Sequence, residues 1–337
     1  MVSIKDIANK CGVSISTVSK ALNGHRDVGE GTRELIRRTA KEMGYSPNSS
    51  ARMLKTNRSH NIGVLFADEA QSGLTHDHFA RVLDSFKVSA ENKGYDITFI
   101  RTQKGHSQQM TYLEHARFRG FDGVAIACTN FEDPQVRELM ASDIPIVTID
   151  YTFNRTISII SNNIKGMTDL TQYAIDMGHQ KIAYIYGEPS LVTSNRVSAF
   201  YITMEKNGLK VPDTYTRETQ YRNMEGAAKQ TRQLLALKNP PTCIFYPDDY
   251  ACIGGINTIR DMGLKLGQDI SVAGYDGLTM TRQIEPSITT IVQNTRKIGA
   301  CAAEKLISLI EHPKTTIIEQ IVIDGELYPG KTIKKLN

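Results

Sequence analysis

Four small hydroxyl side chains, Ser14, Ser16, Thr17 and Ser19, crowd the stretch VSISTVSKALNG at residues 13–24, which also holds Lys20 and Asn23. Short hydroxyls let a backbone approach closely and can reach phosphate oxygens or base edges, while lysine supplies charge. The competing reading is a solvated helix face whose hydroxyls meet only water. A second group lies at residues 45–61, where Arg52, Lys55 and Arg58 flank Leu54, an apolar residue with no local core to join. A leucine so placed fits a wedge driven into a minor-groove base step, or else a linker residue packed on the body of the chain. Elsewhere the chemistry is sparse. His76 and His78 stand two apart in the acidic loop DEAQSGLTHDHF, too few for a metal site without further ligands. Asp248 beside Asp249, or His106 with His115, are pairs that acid–base work would use, but adjacent carboxylates on one chain usually diverge. The chain has no P-loop, no G-x-S-x-G, no HExxH and no glycine fingerprint after its first strand, so neither catalysis nor a cofactor is expected.

The elements that must position the first group are short helices. Ser3 caps a helix with Asp6 three residues on, Ile4, Ile7, Ala8 and Cys11 form its apolar stripe, and Gly12 ends it. Ser14 caps the next, where Val13 and Val18 are spaced as a hydrophobic staple and Val18, Ala21 and Leu22 form a narrow inward face. A third helix from about Thr32 to Met43 turns Leu35, Ile36, Ala40 and Met43 inward and stops at Gly44. Three short helices with a tight turn between the first two describe a helix-turn-helix. The charge agrees: the first 60 residues hold 11 basic and 5 acidic side chains, net +6, on a remainder of net −2. The partner expected at this end is therefore anionic, nucleic acid or lipid. From Pro47, after Ser46, two further helical turns can form, too few to be stable alone.

A length of 337 residues points to two or three domains. From Asn61 onward, apolar runs of the buried parallel-strand type (IGVLFA, DITFI, DGVAIA, IPIVTID) alternate with helical stretches such as FARVLDSFKVSAENKG and PQVRELMAS. A second series, KIAYIYG, TCIFYP and ISVAGYDG, follows from about Ser161, with 173–178, 196–207, 224–237 and 250–262 inside helices. Two such series mean two doubly wound α/β lobes. The block IEPSITTIVQN, a helix at 295–311 and the strand-like IEQIVI look like a return to the first lobe. Five scattered cysteines, Cys11, Cys128, Cys243, Cys252 and Cys301, fit a reducing, cytoplasmic setting, and no apolar run approaches a membrane span. A transport-type binding protein would need an export signal and has no use for the basic first 60 residues.

Together, IKDIANKCGVSISTVSKALNG (4–24) and GYSPNSSARMLKTNRSHNIGVLF (44–66) closely resemble the lactose-repressor and galactose-repressor (LacI/GalR) family of bacterial transcription regulators, and the resemblance covers essentially the whole chain. It implies a homodimer on a pseudo-palindromic double-stranded DNA operator, most often as a repressor, with each helix-turn-helix in a major-groove half-site and paired hinge helices in the central minor groove. DNA contacts are expected from Ser14, Ile15, Ser16, Thr17, Ser19, Lys20, Asn23, Arg52, Leu54 and Lys55. Of these, Ile15, Ser16 and Lys20 match the operator-selecting positions, Thr17 and Ser19 the general positioning ones, and Leu54 the wedge. One departure is the third helix, which opens on Gly29 and Gly31, and a glycine inside a helix costs about 1 kcal/mol.

For the body, the resemblance implies the hinge-closing, two-lobed core also found in periplasmic sugar-binding proteins, with a small effector between the lobes at the carboxyl ends of the strands. The expected architecture is a small all-α helix-turn-helix domain (1–46), a hinge helix or linker (47–60) and a periplasmic-binding-protein-like α/β core (61–337). Its N-lobe would take about 61–161 plus 292–320, and its C-lobe about 162–291 plus 321–337. Arg196 and Asp276 match effector-binding positions, Asp248 one where many relatives carry Asn, Asp249 a more structural aspartate, and Tyr221 and Phe79 aromatic positions, Phe79 in the first loop. Asp150, just past a strand end, is a further candidate. Carboxylates and an arginine beside aromatic faces suit a sugar or sugar derivative, and a purine or a protein co-regulator is the alternative. Each residue also has a structural reading: Arg196 with Asp276 as an ion pair between lobes, Asp248 or Asp249 as a helix cap, Tyr221 as core. The C-terminal KTIKKLN has no heptad repeat to support a coiled-coil tetramer.

Overall fold

A computed structural model describes residues 2–22, 24–25, 27–45, 58–67, 73–100 and 110–336. The chain separates into two compact units, Met1–Ser59 and His60–Asn337.

The first unit holds α1 (Ile4–Cys11), α2 (Ile15–Leu22) and α3 (Glu30–Glu42). Ser3 and Asp6 close a reciprocal capping box on α1, and Gly12 ends it with φ 65°, a left-handed turn that glycine adopts without cost. Ile7, Ala8, Val18, Ala21, Val28, Ile36 and Ala40 form the core, against which Val13, Leu22 and Met43 pack. Two expectations need correction. α3 begins at Glu30 rather than Thr32, capped by Gly29 with no side-chain hydrogen bond. Leu35 is 38% exposed, and Thr39 is buried on the inner face instead. At about 100° per residue, Leu35 stands a quarter turn from the centre of the stripe formed by Ile36, Thr39, Ala40 and Met43. The hinge helix expected within 47–60 lies outside the described residues except for 58–60.

The second unit is built on two parallel sheets. The first comprises β1 (Asn61–Phe66), β2 (Asp96–Phe99), β3 (Gly123–Ala127), β4 (Ile146–Ile149), β5 (Ile157–Ser161) and β11 (Gln320–Ile323), in the order β11-β5-β4-β3-β1-β2. The second comprises β6 (Ile182–Tyr186), β7 (Thr216–Glu218), β8 (Cys243–Phe245) and β9 (Ser271–Ala273), in the order β7-β6-β8-β9. A small antiparallel pair, β10 (Thr290–Val292) with β12 (Glu326–Tyr328), adjoins the end of β9 through the bridges Ala273↔Thr289 and Asp276↔Val292. The helices are α4 (Asp77–Asn92), α5 (Tyr112–Arg119), α6 (Pro134–Met140), α7 (Asn163–Asp176), α8 (Leu191–Lys206), α9 (Met224–Leu235), α10 (Asp249–Asp261), α11 (Thr279–Gln283) and α12 (Thr295–Glu311).

Both faces of each sheet are covered, which is why the strands read as continuous apolar runs. Along β3, Ala125 and Ala127 join the core beneath α4 and α12, while Val124 and Ile126 join the core beneath α5 and α6. Along β6, Ile182 and Tyr184 face one core and Ala183 and Ile185 the other.

Where the chain passes between the lobes, Asn162 caps α7, its backbone N–H donates to the Ile323 carbonyl at 2.8 Å, and its amide donates to Asp324 at 2.8 Å. Because β11 pairs with β5 through Ile323↔Ser161, the last crossing falls after Ile323, not at the 320/321 boundary expected. The helix expected at 173–178 is the end of α7, which starts at Asn163 and stops at Asp176. Strand order reverses between β1 and β3 and between β6 and β8, the switch points outside which open α/β sheets place ligands.

Candidate functional site

In the first unit, α2 presents the hydroxyl group of side chains. The Ser14 hydroxyl accepts the Thr17 N–H at 3.1 Å, capping the helix, and lies 2.7 Å from Ser16 Oγ and 2.8 Å from Thr17 Oγ1. Ile15 is 53% exposed although apolar. Ser14, Ser16 and Lys20 are exposed, and Thr17 and Ser19 half-buried. Lys20 pairs with Asp27, which lowers the carboxyl of Asp27 below its usual range. Asn23, Arg52, Leu54 and Lys55 lie outside the described residues, as does His106.

In the second unit, a cavity of about 490 Å³ opens between the lobes, and Phe79, Asp150, Arg196, Tyr221, Asp248 and Asp276 all line it. Arg196, in the second turn of α8, is 3% exposed. Its Nε donates to Asn163 Oδ1 at 2.7 Å, its Nη1 to the Pro247 carbonyl at 2.9 Å, and its guanidinium lies 3.5 Å from the Tyr275 ring centre. Nη2 stands 3.9 Å from Asp276. Burial opposes the charge, but Tyr221, Tyr275 and Asp276 hold the guanidinium protonated above its ordinary value.

Asp276 follows β9 with φ 96°, an unfavourable backbone for a residue with a Cβ, and accepts the Gln293 amide at 2.6 Å. Asp150 likewise has φ 56° and accepts the Ser161 N–H at 2.7 Å. Asp248 caps α10 through the Ala251 N–H at 2.9 Å and holds the Arg222 N–H at 2.7 Å. The cap and the cavity wall are thus the same residue. Burial and then the neighbouring Asp276 raise its carboxyl to about 6. Asp249 turns away from the cavity and is tied to Thr290, Thr281 and the Leu278 N–H, with its carboxyl raised to about 7 by burial and then Asp276.

Tyr221 hydrogen-bonds Thr193 at 2.8 Å, and its ring occupies the space a Cβ on Gly187 would need, 2.3 Å away. Phe79 sits in the first turn of α4 rather than in the loop, packed on Phe66 and on the rings of His76 and His78. Those histidine rings are 6.5 Å apart, and no cluster of three or more metal-type side chains occurs among the described residues.

Sequence reasoning missed a stacked pair on the cavity wall, Phe131 and Tyr151, with ring centres 3.9 Å apart and planes 2° from parallel. It also missed Glu188, Arg222 and Gln293. Position just past a strand end, the signal that nominated Asp150, applies equally to Tyr151 after β4 and Glu188 after β6.

Side chains also join the lobes beside the cavity. Tyr250 donates to Asp77, Arg81 donates to Thr279 at 2.9 Å, and Arg222 donates to the Thr75 carbonyl at 3.3 Å while lying over the Tyr250 ring. Among the described residues, no helix is long and apolar enough to cross a membrane.

A helix-turn-helix unit on the same chain as a two-lobed cleft core defines a class, the regulator whose DNA-reading module is joined to a periplasmic-binding-protein fold. Residues 3–48 match the model of the bacterial regulatory proteins of the lacI family, and residues 171–333 that of the periplasmic binding protein-like domain. The probable HTH-type transcriptional repressor ExuR of Bacillus subtilis is 31% identical over 100% of this chain and 99% of its own. The HTH-type transcriptional repressor PurR of Vibrio parahaemolyticus is 30% identical over 100% of both. The lac repressor dimer, solved bound to operator and the anti-inducer ONPF, superposes with a TM-score of 0.83 at 25% identity, over 99% of each chain. The chain belongs to the lacI family of bacterial regulatory proteins.

Proposed function

We propose that the chain is a homodimeric, effector-controlled transcriptional repressor acting in the cytoplasm and not a catalyst. It reads a pseudo-palindromic DNA operator with α2 and binds a sugar or sugar derivative between the lobes. The observation that carries the effector half is convergence. Six residues nominated from positions between 79 and 276 of the sequence line one cavity at the carboxyl ends of the strands. The DNA half rests on the exposed Ile15, Ser16 and Lys20 along one helix of a module whose family regulates transcription. Leu54 remains proposed as the minor-groove wedge, with Asn23, Arg52 and Lys55 as further DNA contacts.

Selection of bound fragments from a random DNA pool, followed by titration across salt, tests the first half. A two-fold symmetric site with affinity falling steeply as salt rises is expected, because phosphate contacts release counterions. Unselective binding with a flat salt response would remove DNA as the partner. A purine effector is a second reading, supported by the flat Phe131–Tyr151 pair on the wall.

A further inference from the structure

We infer that the cleft selects an uncharged, hydroxyl-rich ligand, a neutral sugar, over the carboxylate and phosphate derivatives of that sugar; this rests on the sugar reading above. Among the described residues the wall carries five carboxylates, Glu132, Asp150, Glu188, Asp248 and Asp276, against two guanidiniums, Arg196 and Arg222, and the imidazoles of His76 and His78. Both cations are engaged by the protein. Arg196 gives Nε to Asn163 and Nη1 to the Pro247 carbonyl, with Asp276 beside Nη2. Arg222 reaches across the lobes to the Thr75 carbonyl and lies over Tyr250.

The acids are less satisfied. Glu132 pairs with Arg137, but Asp150 and Glu188 are held by the backbone N–H groups of Ser161 and Tyr221, and Asp248 by those of Ala251 and Arg222. Such bonds fix a carboxylate while leaving lone pairs for further donors. Gln293 Oε1 and His78 Nδ1 are buried with no hydrogen-bond partner among the described residues. A further feature that would attract an anion, besides the two guanidiniums, is the amino end of α8, where Leu191 and Val192 line the cavity, and Glu188 stands just ahead of it. A wall rich in acceptors requires a ligand that donates. Hydroxyls donate and accept, whereas a carboxylate or phosphate only accepts and would be desolvated beside like charges.

Calorimetric titration of the full chain with a panel of neutral mono- and disaccharides, each beside its uronate and its phosphate, tests this. At least one neutral sugar should bind, with its charged counterparts weaker by about tenfold or more. Tighter binding of a uronate or sugar phosphate than of its neutral counterpart overturns the charge selection and leaves the sugar reading standing. Silence from every sugar overturns both, and binding of a free purine base in its place identifies the alternative. The double variant Asp150→Asn with Glu188→Gln keeps acceptors for the Ser161 and Tyr221 N–H groups and should narrow the discrimination. An unchanged ratio in a folded variant overturns the role given to these two carboxylates.

Discussion

Arg196 and the carboxylates around it line the proposed effector cavity and are bonded to the protein as well, so a change there should act on both stability and recognition. Replacing it with methionine removes the countercharge of Asp276 and leaves Asn163 and the Pro247 carbonyl without their donor. We expect Arg196→Met to lower unfolding free energy by roughly 2–3 kcal/mol, less than for a fully buried pair because Asp276 keeps some solvent. Urea denaturation checks this, and any effector-induced stabilisation should vanish in the same variant. Asp248 and Asp249 make a pH prediction. Their folded carboxyls sit at about 6 and about 7 against an ordinary 3.8, so the folded state holds these protons more tightly than the unfolded chain. Their contribution to stability is therefore full below the ordinary carboxyl range and is lost as pH rises through 6 to 7. Thermal melts between pH 5 and pH 8 should show this component of declining midpoint, and Asp249→Asn should flatten it. A slope identical in the variant would show that Asp249 ionises normally.

At the scale of elements, two glycines have opposite consequences. Gly299 of α12 lies so close to α4 that a Cβ would stand 2.1 Å from the Val82 carbonyl oxygen and 2.8 Å from the Phe86 nitrogen. Backbone cannot yield as a side-chain tip can, so Gly299→Ala should push the helices apart and destabilise the core by about 1–3 kcal/mol in chemical denaturation. Gly31 in the first turn of α3 has open space around it. Gly31→Ala should therefore raise the stability of the helix-turn-helix unit by about 0.5–1 kcal/mol, readable as a higher melting midpoint. The elements most legible in the sequence were those marked by local chemistry, such as α1 between Ser3 and Gly12, and α12, whose bounds 295–311 were read correctly. Strand β5, ISIIS, is not distinguished by the sequence, because so short an apolar run reads equally as part of a buried helix segment. Leu35 reads as inward because one apolar residue beside an apolar stripe has no periodicity of its own, and only the packing of α3 puts Thr39 in its place.

For the whole molecule, the relevant variable is the angle between lobes. The contacts of Tyr250 with Asp77, Arg81 with Thr279 and Arg222 with the Thr75 carbonyl join the two lobes beside the cavity. Removing one phenol hydroxyl leaves the fold of each lobe untouched but weakens the closed arrangement. Tyr250→Phe should accordingly increase the radius of gyration of the unliganded chain in small-angle scattering and weaken binding of the proposed effector, since part of the binding free energy must then close the lobes. An identical scattering profile and affinity would show that closure does not depend on this contact. Any link between the cavity and DNA must be reciprocal, so the factor by which an effector alters operator affinity equals that by which operator alters effector affinity.

The sequence by itself determined the helix-turn-helix, the alternation of strands and helices, the two α/β lobes and the basic first unit, because caps, periodicity and charge are written within a few residues of one another. The resemblance added which polar side chains match effector-binding positions. Tertiary structure alone decided that β11 pairs with β5 as far as Ile323, and that Asp248 caps α10 and faces the cavity at once. It also placed Phe131 against Tyr151 and set the guanidiniums of Arg196 and Arg222 on protein acceptors. These outcomes depend on contacts between segments far apart in the chain, and parallel strand pairing brings such segments together without leaving any local pattern from which the meeting could be read.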